Sequence, residues 1–167
     1  MDHFYEKVQE FHNEFHPSEH SKPTAFNLVE AKHRAEFKIE EIVEFIYASS
    51  ENDSQLFAQN IAYLKGSIDK AVNKIQQKQK KVKDPLVEQV DALTDLLYLT
   101  YGSFVLMGVD PTEIFHIVHQ ANMGKKFPDG LAHFDPITHK ILKPAHWEAM
   151  FAPENKIKKA LDKQKNK

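Results

Sequence analysis

Apolar residues recur every three or four positions along most of this chain, and they rarely alternate as strand residues would. Phe4, Val8, Phe11 and Phe15 mark one face of a first helix that ends before Pro17. Residues 16–25 hold two prolines and two serines and read as a loop. A long second helix follows from about Asn27 to Ala48, with Leu28, Ala35, Ile39, Ile42 and Ile46 as its stripe. Ser49 to Asp53 interrupts it. Ile61, Leu64, Ile68, Val72 and Ile75 then set the face of a third helix within residues 54–80, whose Gln- and Lys-rich end faces solvent. Asp84-Pro85, a capping residue followed by a first-turn proline, opens a fourth helix that runs to about Met107 and stops at Gly108. Asp110-Pro111 repeats the device for a shorter fifth helix to about Asn122.

From Gly124 to Pro153 turn residues dominate, and residues 154–167 are a basic tail or a weak helix. No repeat and no second domain is visible. The pattern predicts one all-α domain over residues 1–167: a four-helix-bundle core, an extra N-terminal helix and an extended C-terminal segment.

Composition narrows the picture. At 167 residues the chain can bury a real core. A formal net charge of -2 gives no general attraction to nucleic acid or to an anionic membrane. No cysteine is present, which excludes disulfides, thiol catalysis and thiolate metal sites. The first twenty residues carry charges throughout and show no signal peptide, and no apolar run is long enough to span a bilayer. The expectation is a soluble cytoplasmic protein.

Two acidic clusters carry the candidate chemistry. Glu36, Glu40 and Glu44 share a face of the second helix, with Glu41 on its flank. On the fourth helix, at ~100° per residue, Glu88, Asp91 and Asp95 fall within roughly 60° of one another. Acids on an amphipathic helix ordinarily face water. Exposed faces, however, usually interleave Glu with Lys or Arg one turn away. From Asp84 to Asp110 there is no basic residue. Two such helices side by side would offer a box of carboxylate oxygens suited to a hard divalent cation acting on phosphates.

The order of these motifs carries a resemblance. Arg34, then Glu40-Glu41-x-x-Glu44, then Asp91-Ala92-Leu93-Thr94-Asp95-Leu96-Leu97-Tyr98-x-x-Tyr101-Gly102, then Gly108-Val109-Asp110, resembles the all-α nucleoside triphosphate pyrophosphohydrolases. That superfamily includes the MazG proteins, the dimeric dUTPases and phosphoribosyl-ATP pyrophosphohydrolase. Val118 to Lys125, with Leu142-Lys143-Pro144 and Trp147, is similar to the phosphoribosyl-ATP pyrophosphohydrolase-like branch. The likeness spans most of the chain from Arg34 to Trp147.

The resemblance implies Mg²⁺, or Mn²⁺, held by an E-x-x-E motif and an E-x-x-D motif. The first maps onto Glu41 and Glu44, with Glu40 beside them. In the second, Asp95 fits the following Leu-Leu-Tyr, but Ala92 stands where a glutamate is expected; Asp91 would supply the missing oxygen, with Glu88 in reserve. The stretch between the motifs is longer than the family's compact form by roughly one helix, residues 54–80. The implied reaction converts a nucleoside triphosphate to the monophosphate and pyrophosphate, with Glu40 or Glu41 as base. The implied role is house-cleaning of non-canonical or surplus nucleotides, in a homodimer.

Asn122 and Lys125 are candidate contacts to phosphate or base, Lys143 to phosphate, and Tyr98 to the substrate by stacking or donation. Arg34 would pair with an acid of the site, or with Glu30 or Glu36. Lys125 and Asn122 equally suit a helix C-terminus, and Tyr98 a core aromatic.

Two other classes stay open. Glu30-x-x-His33 and Glu113-x-x-His116 match the pair used by di-iron carboxylate bundles. A non-catalytic helical protein that binds nucleotides would also fit the pattern. His12/His16/His20, His116/His119 and His133/His139/His146 show no metal-ligand spacing.

Overall fold

The structure, a computed structural model, describes residues 4–17, 20–138 and 140–166. Among the described residues there are seven helices and no strand: α1 Phe4–Phe15, α2 Leu28–Ser49, α3 Ser54–Lys78, α4 Pro85–Leu106, α5 Thr112–Met123, α6 Trp147–Phe151 and α7 Glu154–Lys165. The all-α class expected from periodicity holds. None of these helices is long and apolar enough to cross a membrane. The chain's contacts gather into two compact units, Pro23–Thr94 and Met1–Lys22 with Asp95–Lys167.

The first of these is a helical hairpin with the start of α4. Asn27 and Glu30 form a reciprocal capping box at the head of α2, in which the Asn27 side chain accepts from the Val29 and Glu30 amides. The Glu30 carboxylate accepts in return from the Asn27 amide at 2.9 Å. The turn into α3 places Glu51 and Asn52 in the left-handed region, at φ 48° and 67°. Asp53 then caps α3 by accepting from Gln55 and Leu56. Ser50 is buried in this corner; its hydroxyl donates to the Ile46 carbonyl and accepts from Asn60. Tyr47 meets Phe57 edge-on at 5.2 Å, closing the top of the α2–α3 pair. Asp84 caps α4 as its sequence predicts, accepting from Leu86 and Val87. The Gln89 side chain clasps the Phe26 backbone through both its amide and its carbonyl.

The other unit is built around α5, which packs against both α1 and α7. The Phe4 ring lies 4.3 Å from that of Phe115, and Phe11 lies 4.6 Å from the buried Phe15. The phenylalanine face of α1 is therefore partly covered within its own unit: Phe15 is buried, Phe4 and Phe11 are half-buried and Val8 is exposed. An ion pair from Glu14 to Lys126 and a contact of Glu10 with the His119 Nε2 run along the same seam. On the far side the Gln164 amide donates to the Asp110 carbonyl and its oxygen accepts from the Asp110 amide. Ala160 of α7 is buried, at 1% exposure.

Of the two readings of the basic C-terminal stretch, the helix holds: Glu154–Lys165 is α7. Two details differ from the sequence pattern. A short helix, α6, sits inside the segment read as turns. At α5 the N-cap position falls on Pro111, while Asp110 accepts from the Thr112 amide one residue earlier.

Candidate active site

Most of the candidate residues lie on α2 and α4. Glu40, Glu41 and Glu44 are exposed on α2, and Asp91 and Asp95 are exposed on α4. Among the described residues no three His, Asp or Glu side chains converge closely enough to hold a metal ion. In the single chain these acids are therefore two rows of hard oxygen donors. Their chemistry suits Mg²⁺, because every donor is a carboxylate oxygen and neither thiol nor imidazole stands among them.

Glu88 plays a different part. Lys80, from the turn that precedes α4, donates to its carboxylate at 2.8 Å. That hydrogen bond, with the charge of Glu88 and a smaller contribution from Asp91, holds the Lys80 pKa above the usual lysine value. The basic partner missing between Asp84 and Asp110 thus comes from just outside that stretch. With Glu88 engaged, Asp91 and Asp95 are the remaining acids of α4.

Arg34 lies on α2 with its guanidinium 5.6 Å from the centre of the Phe37 ring. Its carbonyl accepts from the Lys38 ammonium at 3.0 Å. Partial burial, reinforced by the Arg34 charge, keeps the Lys38 pKa below its usual range. Tyr98 is 78% exposed, so it is not a core aromatic.

The remaining candidates gather where α5 ends. Lys125 donates to the Asn122 side-chain oxygen at 2.8 Å. The indole N–H of buried Trp147 donates to the Ala121 carbonyl at 2.7 Å, which seats α6 against this end of α5. Lys143 then lies with its ammonium 3.9 Å from the Trp147 ring. Asn122, Lys125 and Lys143 are thus drawn to one end of one unit by the Trp147 anchor. Gly124 closes α5 in a right-handed conformation, at φ -66°. Its need is for space rather than backbone freedom: a Cβ there would run into the Phe151 ring. That contact joins residues far apart in the sequence, and periodicity could not have found it.

The di-iron alternative loses its ligands. Glu30 is the capping-box carboxylate of α2, and Glu113 is paired with Lys163 at 2.8 Å. His116 turns a buried Nδ1 that has no hydrogen-bond partner, with its ring 6.1 Å from Phe4. Of the histidine groups, His133 pairs with Asp129 and stacks on Phe127, His16 meets Phe134, and His139 lies outside the described residues.

Residues 8–122 match the family model described as "Phosphoribosyl-ATP pyrophosphohydrolase". That span contains both acid rows and Asn122. Among solved structures, the chain is similar to a protein described as "a putative NTP pyrophosphohydrolase" from Exiguobacterium sp. 255-15. The two share 37% identity with a TM-score of 0.85, over 98% of this chain and 96% of that one. No curated protein matches.

Proposed function

Because the chain belongs to the phosphoribosyl-ATP pyrophosphohydrolase family, whose members are hydrolases of pyrophosphate bonds, we propose that it cleaves nucleoside triphosphates to the monophosphate and pyrophosphate. The observation that carries this reading is the position of the acids: the rows on α2 and α4 both lie inside the matched residues 8–122. The likeness to an "NTP pyrophosphohydrolase" over nearly the full length of both chains supports the triphosphate as substrate class.

Glu40, Glu41, Glu44, Asp91 and Asp95 are the residues that would hold Mg²⁺, with Mn²⁺ as a substitute. When bound, the metal offsets charge on the phosphate oxygens and on the departing pyrophosphate. Glu40 or Glu41 takes the proton of the attacking water as its oxygen bonds to phosphorus. The bridging oxygen leaves with the pyrophosphate. Lys125 and Lys143 supply positive charge toward the phosphates, and Asn122 offers a donor and an acceptor. Tyr98, exposed on α4, is placed to lie against a base, and Arg34 to balance the acids of α2. The role that follows is removal of non-canonical or surplus nucleotides in the cytoplasm.

A second copy of the chain belongs to this proposal. Leu97, Tyr98, Leu99, Val105 and Leu106 are all exposed, Leu106 at 91%, and at ~100° per residue they spread over roughly 200° of the circumference of α4. An exposed apolar surface this wide, on the half of α4 beyond its acids, needs cover. Obligate homodimer interfaces resemble a domain core cut in half, which is what α4 presents. We therefore assign α4 as the dimer helix. The phenylalanine face of α1 is already partly covered within its own unit.

The test is pyrophosphate release from a panel of canonical, deoxy and modified triphosphates, with phosphoribosyl-ATP included. Turnover should require Mg²⁺ or Mn²⁺ and stop in excess EDTA. Glu41→Gln and Asp95→Asn should each lower kcat by about 100-fold or more with the helical circular dichroism unchanged. Undiminished turnover in EDTA would remove the metal from the mechanism.

A further inference from the structure

A cleft of about 490 Å³ opens in the α5 unit, on the opposite side of the end of α5 from Asn122 and Lys125. Its walls come from α1, α5, α6 and α7, and it holds none of the residues assigned above to hydrolysis. Its size falls in the range of small-molecule sites.

Three features of its lining are chemical rather than accidental to packing. The first is an apolar, planar side: the Phe151 ring lies across Gly124, with Met123 beside it. The absence of a side chain at Gly124 is what lets the ring sit there. The second is a pair of cations from different helices, Lys7 of α1 and Lys156 of α7. Lys7 makes no hydrogen bond or ion pair among the described residues. Lys156 uses one of its three donors on the Met150 carbonyl, at 3.1 Å. The third is the Gln120 side chain, an amide with a donor and an acceptor and no partner among the described residues. Glu10, an exposed carboxylate, also lines the cleft and contacts buried His119 at 3.2 Å.

Lys7 and Lys156, set against the single carboxylate of Glu10, leave the lining with one net positive charge, which favours a small anion. A flat aromatic side favours a flat ring, and a free amide at its edge favours a ring that both donates and accepts hydrogen bonds. A single ligand satisfies all three: a heteroaromatic base joined to one phosphate.

We propose that this cleft binds a nucleoside monophosphate. The base lies against Phe151 and Met123 with Gln120 at its edge, and the phosphate sits between Lys7 and Lys156. Binding here requires no metal and does not depend on the hydrolysis assigned to the acid rows, so the two readings stand or fall separately. If that hydrolysis holds, the ligand is the organic product of the reaction, and the cleft is a second site that senses it.

The experiment titrates the full-length protein in EDTA with AMP, adenosine and inorganic phosphate as probes. The protein carries ¹³C-methyl methionine, so that the Met123 signal reports the location of binding. AMP should move the Met123 signal and bind about tenfold tighter than either adenosine or phosphate alone. Lys7→Ala and Lys156→Ala should each weaken AMP about tenfold and leave adenosine unchanged. Triphosphate turnover at low product concentration should be the same in these variants as in the parent. Three results would overturn the assignment: phosphate binding as tightly as AMP, AMP binding that leaves Met123 still, or lysine variants with undiminished AMP affinity. Neither lysine belongs to the buried core, so the variants retain the fold and the titration reads the site alone.

Discussion

At Gly124 a single missing methyl group decides how the end of the chain is seated. The Phe151 ring occupies the space a Cβ would need, and the same end of α5 receives the Trp147 indole on the Ala121 carbonyl. Gly124→Ala should therefore destabilise the fold by about 1–3 kcal/mol through overpacking, read as a lower urea midpoint with an unchanged slope. A second residue-level expectation concerns acid. The Leu131 amide, and after it the His133 ring, hold the Asp129 carboxyl below its ordinary pKa. A carboxylate whose pKa is depressed by folding adds stability above its unfolded value, and that stability is lost as pH falls through the lower, folded value. Asp129→Asn should therefore flatten the decline of stability below about pH 4, a slope measurable in denaturant titrations at stepped pH. The acids of α2 and α4 were legible at this scale because helical spacing and charge composition are local. The reason for Gly124 was not, since it rests on a ring that arrives from α6.

Among the elements, the sequence spoke most clearly at helix starts. Asn27, Asp53 and Asp84 each cap a helix with an oxygen of their own side chain, and such residues announce themselves without help from tertiary structure. Asp53 works hardest, since it begins α3 immediately after two residues held at positive φ. Asp53→Ala should cost about 1 kcal/mol, seen as a drop in melting temperature with helix content retained after cooling. The short α6 escaped periodicity because five residues make too little of a stripe. α7 was ambiguous for the opposite reason. Its lysines dominate its composition, and its few apolar residues gain meaning only from the α5 surface they cover. The E-x-x-H pairs failed as metal motifs because Glu30 had a nearer duty at its own helix end.

For the whole molecule, α4 sets the expectation. Val90, Leu93 and Leu97 share one face at helical spacing, yet Leu99 and Leu106 point elsewhere and are exposed as well. A one-chain reading assigns a helix one buried face; this helix has more apolar surface than one chain covers. Leu97→Glu with Leu106→Glu should convert a homodimer to a monomer by light scattering, with melting temperature no longer dependent on protein concentration. A parent protein that is monomeric at high concentration would remove α4 from that role. The substrate's base and sugar were never legible in the sequence. A pocket that discriminates bases draws on several helices, and no spacing rule connects them.

Trp147 is the chain's one tryptophan, and a lysine ammonium lies over its ring while its N–H is tied to a carbonyl. Excitation that selects indole therefore reports on one known spot, with no background from elsewhere in the polypeptide. Were Lys143 to leave the ring for an incoming anion, the emission would change in step. The protein carries its own optical gauge of what happens at the end of α5, and no dye or label is needed to read it.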